Sequence, residues 1–128
     1  MSDSQKVLVV DDNKTNLIFA TQLLKRRNIA FDVAVNGQEA YDLFKSGNYV
    51  LILMDLMMPV MDGFASTALI RKTDSEIPII ALTASAFEDE KERAMANGFS
   101  GYLIKPFVPE EFYNYIFPFL GIQPSSPA

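Results

Sequence analysis

The chain has 128 residues, 49% of them hydrophobic, and a net charge of −5. That suits one domain with its own core rather than two, and the acidic balance disfavours direct binding of nucleic acid, which needs cationic surface. Cysteine and histidine are both absent, which excludes disulfides, thiolate or imidazole metal sites, and Ser–His or Cys–His nucleophile pairs.

The opening MSDSQK carries no apolar run, so a secretory signal is not expected and a cytoplasmic location is. Residues 1–5 read as a tail. After Lys6, VLVV closes on Asp11 and Asp12; a continuous branched run ended by acids predicts a strand buried on both faces. From Asn13 to Arg27, Leu17, Ala20, Leu23 and Leu24 recur at helical spacing, and Lys25, Arg26 and Arg27 suit the negative end of the helix dipole. FDVAV (Phe31 to Val35) is a second strand. Asn36-Gly37 is a turn or helix start, leading into a helix marked by Ala40, Leu43 and Phe44 and ended by Ser46-Gly47.

VLILM (Val50 to Met54) is the third strand and runs straight into Asp55. Asp62-Gly63 opens a third helix, ending near Lys72, whose inward positions Ser66 and Thr67 are small. Pro78 begins a fourth strand, PIIALTA, at a position where a missing N–H is tolerated. Phe87 to Asn97 is a charged, alanine-containing helix capped by Gly98. GYLIK (Gly101 to Lys105) is the fifth strand. Pro109-Glu110-Glu111 starts a last helix, which Pro118 is expected to stop near Phe117. The closing GIQPSSPA (121–128) reads as a tail or linker stub. No apolar stretch approaches the ~20 residues needed to cross a bilayer, so no membrane role is expected.

Five strand–helix alternations predict an α/β domain over residues 6–120, with a parallel sheet and helices on both faces. In such sheets the functional crevice lies beyond the carboxyl ends of the strands. The residues at those ends are Asp11 and Asp12, Asp55, Thr83, and Lys105 with Pro106. If these strands are neighbours, one ammonium faces three carboxylates. Two like charges ~4 Å apart repel by ~4 kcal/mol at an effective dielectric of ~20. The excess charge calls for a cation or a raised pKa. A hard ion with few dedicated ligands and room for water and phosphate points to Mg²⁺. Asp55 could then attack phosphorus as a nucleophile, with Lys105 and Thr83 against the phosphoryl oxygens.

The blocks VLVVDDN (Val7 to Asn13), LMDLMMPVMDG (Leu53 to Gly63), ALTA (Ala81 to Ala84) and YLIKPF (Tyr102 to Phe107) together resemble the response-regulator receiver family over Lys6 to Leu120. The resemblance implies a three-layer α/β/α flavodoxin-like fold with five strands in the order 2-1-3-4-5 and five helices. It implies a phosphorelay switch, not a conventional enzyme, that catalyses its own aspartyl phosphorylation and dephosphorylation. Asp55 would be the phosphoacceptor. Asp12 would bind Mg²⁺ directly, Asp11 largely through water, and the Met57 carbonyl would be a further ligand. Lys105 would contact the phosphoryl group, Thr83 would move toward it, Tyr102 would rotate inward behind it, and the bond before Pro106 would be cis. The implied donor is a histidine kinase or a histidine phosphotransfer protein. The readout would be a downstream protein target or output domain, or a homodimer formed through the fourth- and fifth-helix face. The chain would be a stand-alone regulator or the receiver of a larger regulator or hybrid kinase.

Two other classes compete. VLVVDDNKT resembles the haloacid dehalogenase-like pattern, with Asp11 as nucleophile and Thr15 as its threonine, but Asn13 stands where a leaving-group acid is needed. A flavin-binding domain of the same topology would need a phosphate-cradling loop after the first strand, where Asp11 and Asp12 would repel phosphate. In the last helix, Phe112, Ile116 and Phe119 suit a buried face. Tyr113 and Phe117, four residues apart, form a separate pair. They are a candidate exposed contact surface, unless they tuck under the tail.

Overall fold

Five parallel strands pair in the order β2-β1-β3-β4-β5 in the computed structural model, which describes residues 6–84 and 87–121. The tail predicted over 1–5, and all but Gly121 of the one predicted over 121–128, lie outside the described residues. The elements run β1 Lys6–Val10, α1 Lys14–Arg26, β2 Phe31–Ala34, α2 Gly37–Ser46, β3 Tyr49–Asp55, α3 Gly63–Thr73, β4 Ile79–Thr83, α4 Glu88–Ala96, β5 Gly101–Ile104 and α5 Pro109–Leu120. This is the α/β architecture expected from the alternation. Among the described residues no helix is long and apolar enough to cross a membrane.

Period-2 alternation along the buried strands divides the core in two. Val7, Val9, Leu51, Leu53, Ile80 and Leu82 face a cluster that holds Leu17, Leu23 and Leu24 of α1 and Phe112, Ile116 and Phe117 of α5. Leu8, Val10, Ile52, Met54, Ile79 and Ala81 face the other, with Ala40 of α2, Ile70 of α3 and Ala94 of α4. The central strands are therefore buried on both faces, which is why they read as unbroken apolar runs.

The helices begin where capping side chains allow. Asn13, Asn36 and Asp62 accept from the backbone N–H of Asn16, Glu39 and Ala65 and so satisfy orphan donors of α1, α2 and α3. At edge strand β2, Asp32 accepts from Tyr49 Oη at 2.6 Å and from Lys6 Nζ at 3.4 Å, so one carboxylate ties β2 to β1 and β3. Burial and this acceptor hold the Tyr49 phenol well above its ordinary range. At the other edge, the N–H of Tyr102 donates to Tyr115 Oη at 3.1 Å. A Cβ on Gly101 would collide with that hydroxyl, so glycine is what lets α5 cover the free edge of β5.

Two expectations for α5 are corrected. The helix does not stop at Pro118 but continues to Leu120, where Gly121 at φ +72° caps it and donates to Phe117 and Pro118 carbonyls. The bond lost at Pro118 would have gone to the carbonyl of Asn114, an exposed residue, where an unmade bond costs less than in a buried turn. Tyr113 and Phe117 are not a contact surface either: they are 9% and 1% exposed. They pack against the end of α1; the tail lies outside the described residues. Their rings stack at 5.3 Å, with the Arg27 guanidinium 4.8 Å from the Tyr113 centroid. Near the helix end the Arg27 N–H bonds Leu24, and Tyr113 Oη donates to the Leu23 carbonyl at 2.6 Å.

Phe117→Ala is expected to cost about 3–4 kcal/mol, as a fully buried ring lost to a cavity does. Tyr113→Phe is expected to cost about 1–3 kcal/mol, because it strands a buried carbonyl. Urea unfolding checks both through a lowered midpoint at unchanged slope.

Candidate functional site

β1 and β3 are adjacent, with Val10 opposite Met54, so Asp11 and Asp55 leave the sheet side by side. β4 brings Thr83 next to them, with Asp55 opposite Leu82. β5 brings Lys105 just past Ile104, which faces Thr83, and the Lys105 N–H donates to the Thr83 carbonyl at 2.7 Å. The four residues are thus placed by strands whose side chains leave no slack.

The carboxylates are gripped unequally. Asp11 is buried, and both its oxygens are engaged: Oδ1 accepts from the Asn13 N–H at 2.9 Å, and Oδ2 from Lys105 Nζ at 3.2 Å. Lys105 Nζ also lies 3.4 Å from Asp55 Oδ1, so one ammonium bridges two acids. Asp12 is exposed. One oxygen from each of Asp11, Asp12 and Asp55 falls within 4.8 Å of the others. This all-oxygen donor set, with one open acid and two buried ones, fits a small hard divalent cation.

Together with Asn13, Asn16, Leu56, Met57, Thr83, Ala84 and Lys105, the three acids line a cleft of about 290 Å³. Tyr102 is not among its lining residues. It stands opposite Ala81, below Thr83 in the sheet, with Lys91 Nζ 4.8 Å from its ring centroid. The Lys105–Pro106 bond is cis. Pro106 lines a separate apolar hollow of about 220 Å³ beside the cleft, shared with Thr15, Asn16, Phe19, Lys105 and Phe107.

Sequence reasoning missed what holds the rims. Asn13 caps α1 and clamps Asp11 through its N–H; an Asn ahead of a helix with Asn16 three residues on was the available signal. Gly63 is wedged against the site: its N–H bonds the Leu56 carbonyl at 2.9 Å, and a Cβ there would collide with the Asp55 carbonyl oxygen. Val60 has φ +71°, a left-handed conformation unfavourable for a branched residue, and is 82% exposed. Nothing in the local pattern marked it.

Burial pushes the Asp55 carboxyl up to about 6. The Asp11 charge adds to the rise, while Lys105 and the Met57 N–H oppose it. Desolvation and like charge therefore outweigh the single ammonium. The single ammonium thus leaves negative charge uncompensated among the three acids.

The family model for the response regulator receiver domain matches residues 7–117. The chain is 40% identical over 115 residues to hybrid signal transduction histidine kinase B of Dictyostelium discoideum, covering 80% of this chain and 6% of that protein. It spans less than half the length of the curated relatives it matches first. Among solved structures, it is similar to the receiver domain of the sensor histidine kinase PA1611 from Pseudomonas aeruginosa, with a magnesium ion coordinated in its active site cleft. That likeness has a TM-score of 0.85 and 32% identity over 92% of this chain and 98% of that one. It is similar, too, to a chain in the co-crystal structure of the Saccharomyces cerevisiae histidine phosphotransfer protein Ypd1 with the receiver domain of its downstream response regulator Ssk1. There the TM-score is 0.84 and the identity 31% over 91% of this chain and 88% of that one.

The Asp55 environment has a pH signature. An unfolded aspartate ionises near ~3.9, the folded Asp55 near about 6. Between the two the folded state binds the proton more tightly, so stability falls as pH rises from about 4 through about 6. Thermal melting of metal-free wild type against Asp55→Asn should show the wild type losing ground over that window. The loss should be on the order of 2–3 kcal/mol, since the rise spans about two pKa units, each worth ~1.4 kcal/mol before solvent screening. A difference that stays flat from pH 4 to pH 7 would refute this picture.

Proposed function

Because the chain belongs to the response regulator receiver domain family, we propose that Asp55 accepts a phosphoryl group from a phosphohistidine and that this charge change switches a protein-interaction surface. The observation that carries the reading is Lys105 bridging Asp11 and Asp55 in an acid-rich cleft at the strand ends. An Asp55 carboxylate oxygen attacks phosphorus, the phosphorus–nitrogen bond to the donor imidazole breaks, and the imidazole leaves with the electron pair. The product is an acyl phosphate on Asp55. Lys105 then follows the negative charge from the carboxylate to the phosphoryl oxygens, and Thr83 donates its hydroxyl to one of them. Hydrolysis returns the site to its start: water attacks the same phosphorus, Asp55 leaves as carboxylate, and inorganic phosphate departs.

Asp11, Asp12, Asp55 and the Met57 carbonyl would hold a Mg²⁺ ion. The chemistry such an ion supplies is neutralisation of the charge that Lys105 alone leaves uncompensated. Tyr102, next to α4 and beyond the cleft, would relay the change to the face formed by α4, β5 and α5. That face would meet a downstream target, an output domain or a second copy of the chain.

The donor side has its own features. Ile18 and Phe19 of α1, Met57 and Val60 of the β3–α3 loop, and Val108 ahead of α5 all stand exposed around the carboxyl ends of the strands. A histidine kinase or phosphotransfer protein that buried these apolar side chains would bring its imidazole over Asp55 and exclude bulk water. Val60 is held there in an unfavourable backbone conformation, which suits a residue kept for contact rather than for stability.

Incubation with acetyl phosphate and Mg²⁺ should add one phosphoryl group to the wild type, read by intact-mass spectrometry. Asp55→Asn should gain none, and omission of Mg²⁺ should abolish the gain. An adduct of equal yield in Asp55→Asn would sink the assignment, and loss in Asp11→Asn alone would favour the dehalogenase-like reading. Val60→Gly should raise stability by ~1 kcal/mol by relieving the left-handed strain. It should leave acetyl phosphate labelling unchanged and slow transfer from a protein donor. Equal transfer rates would remove Val60 from the docking surface.

A further inference from the structure

α4 is the most lightly anchored of the described helices. Of Glu88–Ala96, Ala94 is the residue that is buried. α1, α3 and α5 each bury four. Phe87, in its N-cap position, has no side-chain oxygen with which to cap it. Yet α4 follows directly on the strand that ends in Thr83.

Two cations hold it by aromatic rings instead. The Arg93 guanidinium lies 4.1 Å from the centroid of Phe64, and Lys91 Nζ lies 4.8 Å from that of Tyr102. The Lys91 side chain is 17% exposed and stands 3.8 Å from Glu88. Phe64 is further fixed edge-on to Phe99 at 5.7 Å. Both rings are joined to the site through the backbone. Phe64 follows Gly63, which is wedged against the Asp55 carbonyl, and Tyr102 lies on the strand that delivers Lys105. Behind the first contact, the hydroxyl of Thr67 on α3 is buried without a hydrogen-bond partner, so the packing on this side is not at its optimum.

We propose that Arg93 on Phe64 and Lys91 on Tyr102 are two latches that set the resting position of α4, and that occupying the Asp55 site releases them. This rests on the phosphoacceptor reading and names the residues through which the site is coupled to α4. Lys91 and Arg93 are positioning residues. They touch neither phosphoryl group nor metal, and act by stabilising the arrangement that phosphorylation leaves. Tyr102 cannot turn inward while Lys91 rests on its ring. α4 cannot move from α3 without uncovering Phe64.

Because coupling is reciprocal, weakening the latches must strengthen binding at Asp55. The test compares wild type, Lys91→Gln, Arg93→Gln, the double variant and Arg93→Lys. Two readouts are measured: hydrogen exchange of the amides of 88–96, and the affinity for beryllofluoride with Mg²⁺, which stands in for the phosphoryl group. Each contact is expected to count for about 2- to 5-fold in both readouts. The double variant should combine the two effects, and Arg93→Lys should fall between wild type and Arg93→Gln. Faster exchange with unchanged beryllofluoride affinity would make the contacts structural only and overturn the proposal. Unchanged exchange would overturn it as well. Glu88→Gln separates the ring contact of Lys91 from its ion pair; an effect as large as that of Lys91→Gln would overturn the Lys91 latch. Failure of the wild type to bind beryllofluoride at all would remove the phosphoacceptor reading and the coupling with it, an outcome visible without any variant.

Discussion

One ammonium among three carboxylates is the constraint on which this structure turns. Lys105 reaches Asp11 and Asp55 at 3.2 and 3.4 Å, and its single positive charge cannot balance all three acids. In water three acids would simply separate, each keeping its hydration. Here they cannot, because Asp11 and Asp55 extend strands that are apolar on both faces and paired in fixed register. Moving either acid outward by one residue would turn the whole strand over and drive its core side chains to the wrong face. The apolar core therefore pins the charges together, and the rise of Asp55 to about 6 reflects that confinement. A site so under-neutralised favours a cation on electrostatic grounds and is sensitive to any change in its charge.

The division between what the sequence discloses and what it hides follows from distance along the chain. The buried strands, the caps and the acids at the strand ends are local features. A run such as VLILM ending in Asp55 carries its own meaning, because neighbours two residues apart decide which face is buried. Bringing Asp11, Asp55, Thr83 and Lys105 to one edge takes only the order of the strands, which parallel crossovers restrict to a few arrangements. The clamp of Asn13 on Asp11 is local and its signal was there to be read, whereas the fit of Gly63 against the Asp55 carbonyl was not legible, since it depends on how closely two chain segments approach. Tyr113 was misjudged for a related reason. Its exposure is decided by the end of α1, ninety residues away along the chain, where Leu23 offers a carbonyl that needs a donor.

Pro118 shows the same limit in a single residue. Proline breaks a helix by removing one N–H and crowding one carbonyl. Both costs are small here, because the carbonyl belongs to exposed Asn114 and the helix has only Phe119 and Leu120 still to go. Those residues pack on the α1–α5 cluster, and Gly121 closes the last turn in a conformation open to glycine. Tertiary packing at the end of a helix outweighs a rule derived from its middle.

The two layers of the sheet are built to different stiffness, and that asymmetry decides where a change of charge at Asp55 can be felt. On the α1–α5 side the rings of Phe19, Phe107, Phe112, Tyr113 and Phe117 form a continuous ladder, each 5.2 to 5.9 Å from the next. Shifting one helix there means dismantling a close-packed aromatic stack. On the opposite side, α4 offers one buried methyl group and two cations resting on rings at the surface. Both layers border the strands that hold the acids, so both receive the same perturbation. Under the proposed phosphorylation of Asp55 the displacement would go where resistance is least: the aromatic layer would serve as a rigid floor, and the lightly held helix would be the part that moves.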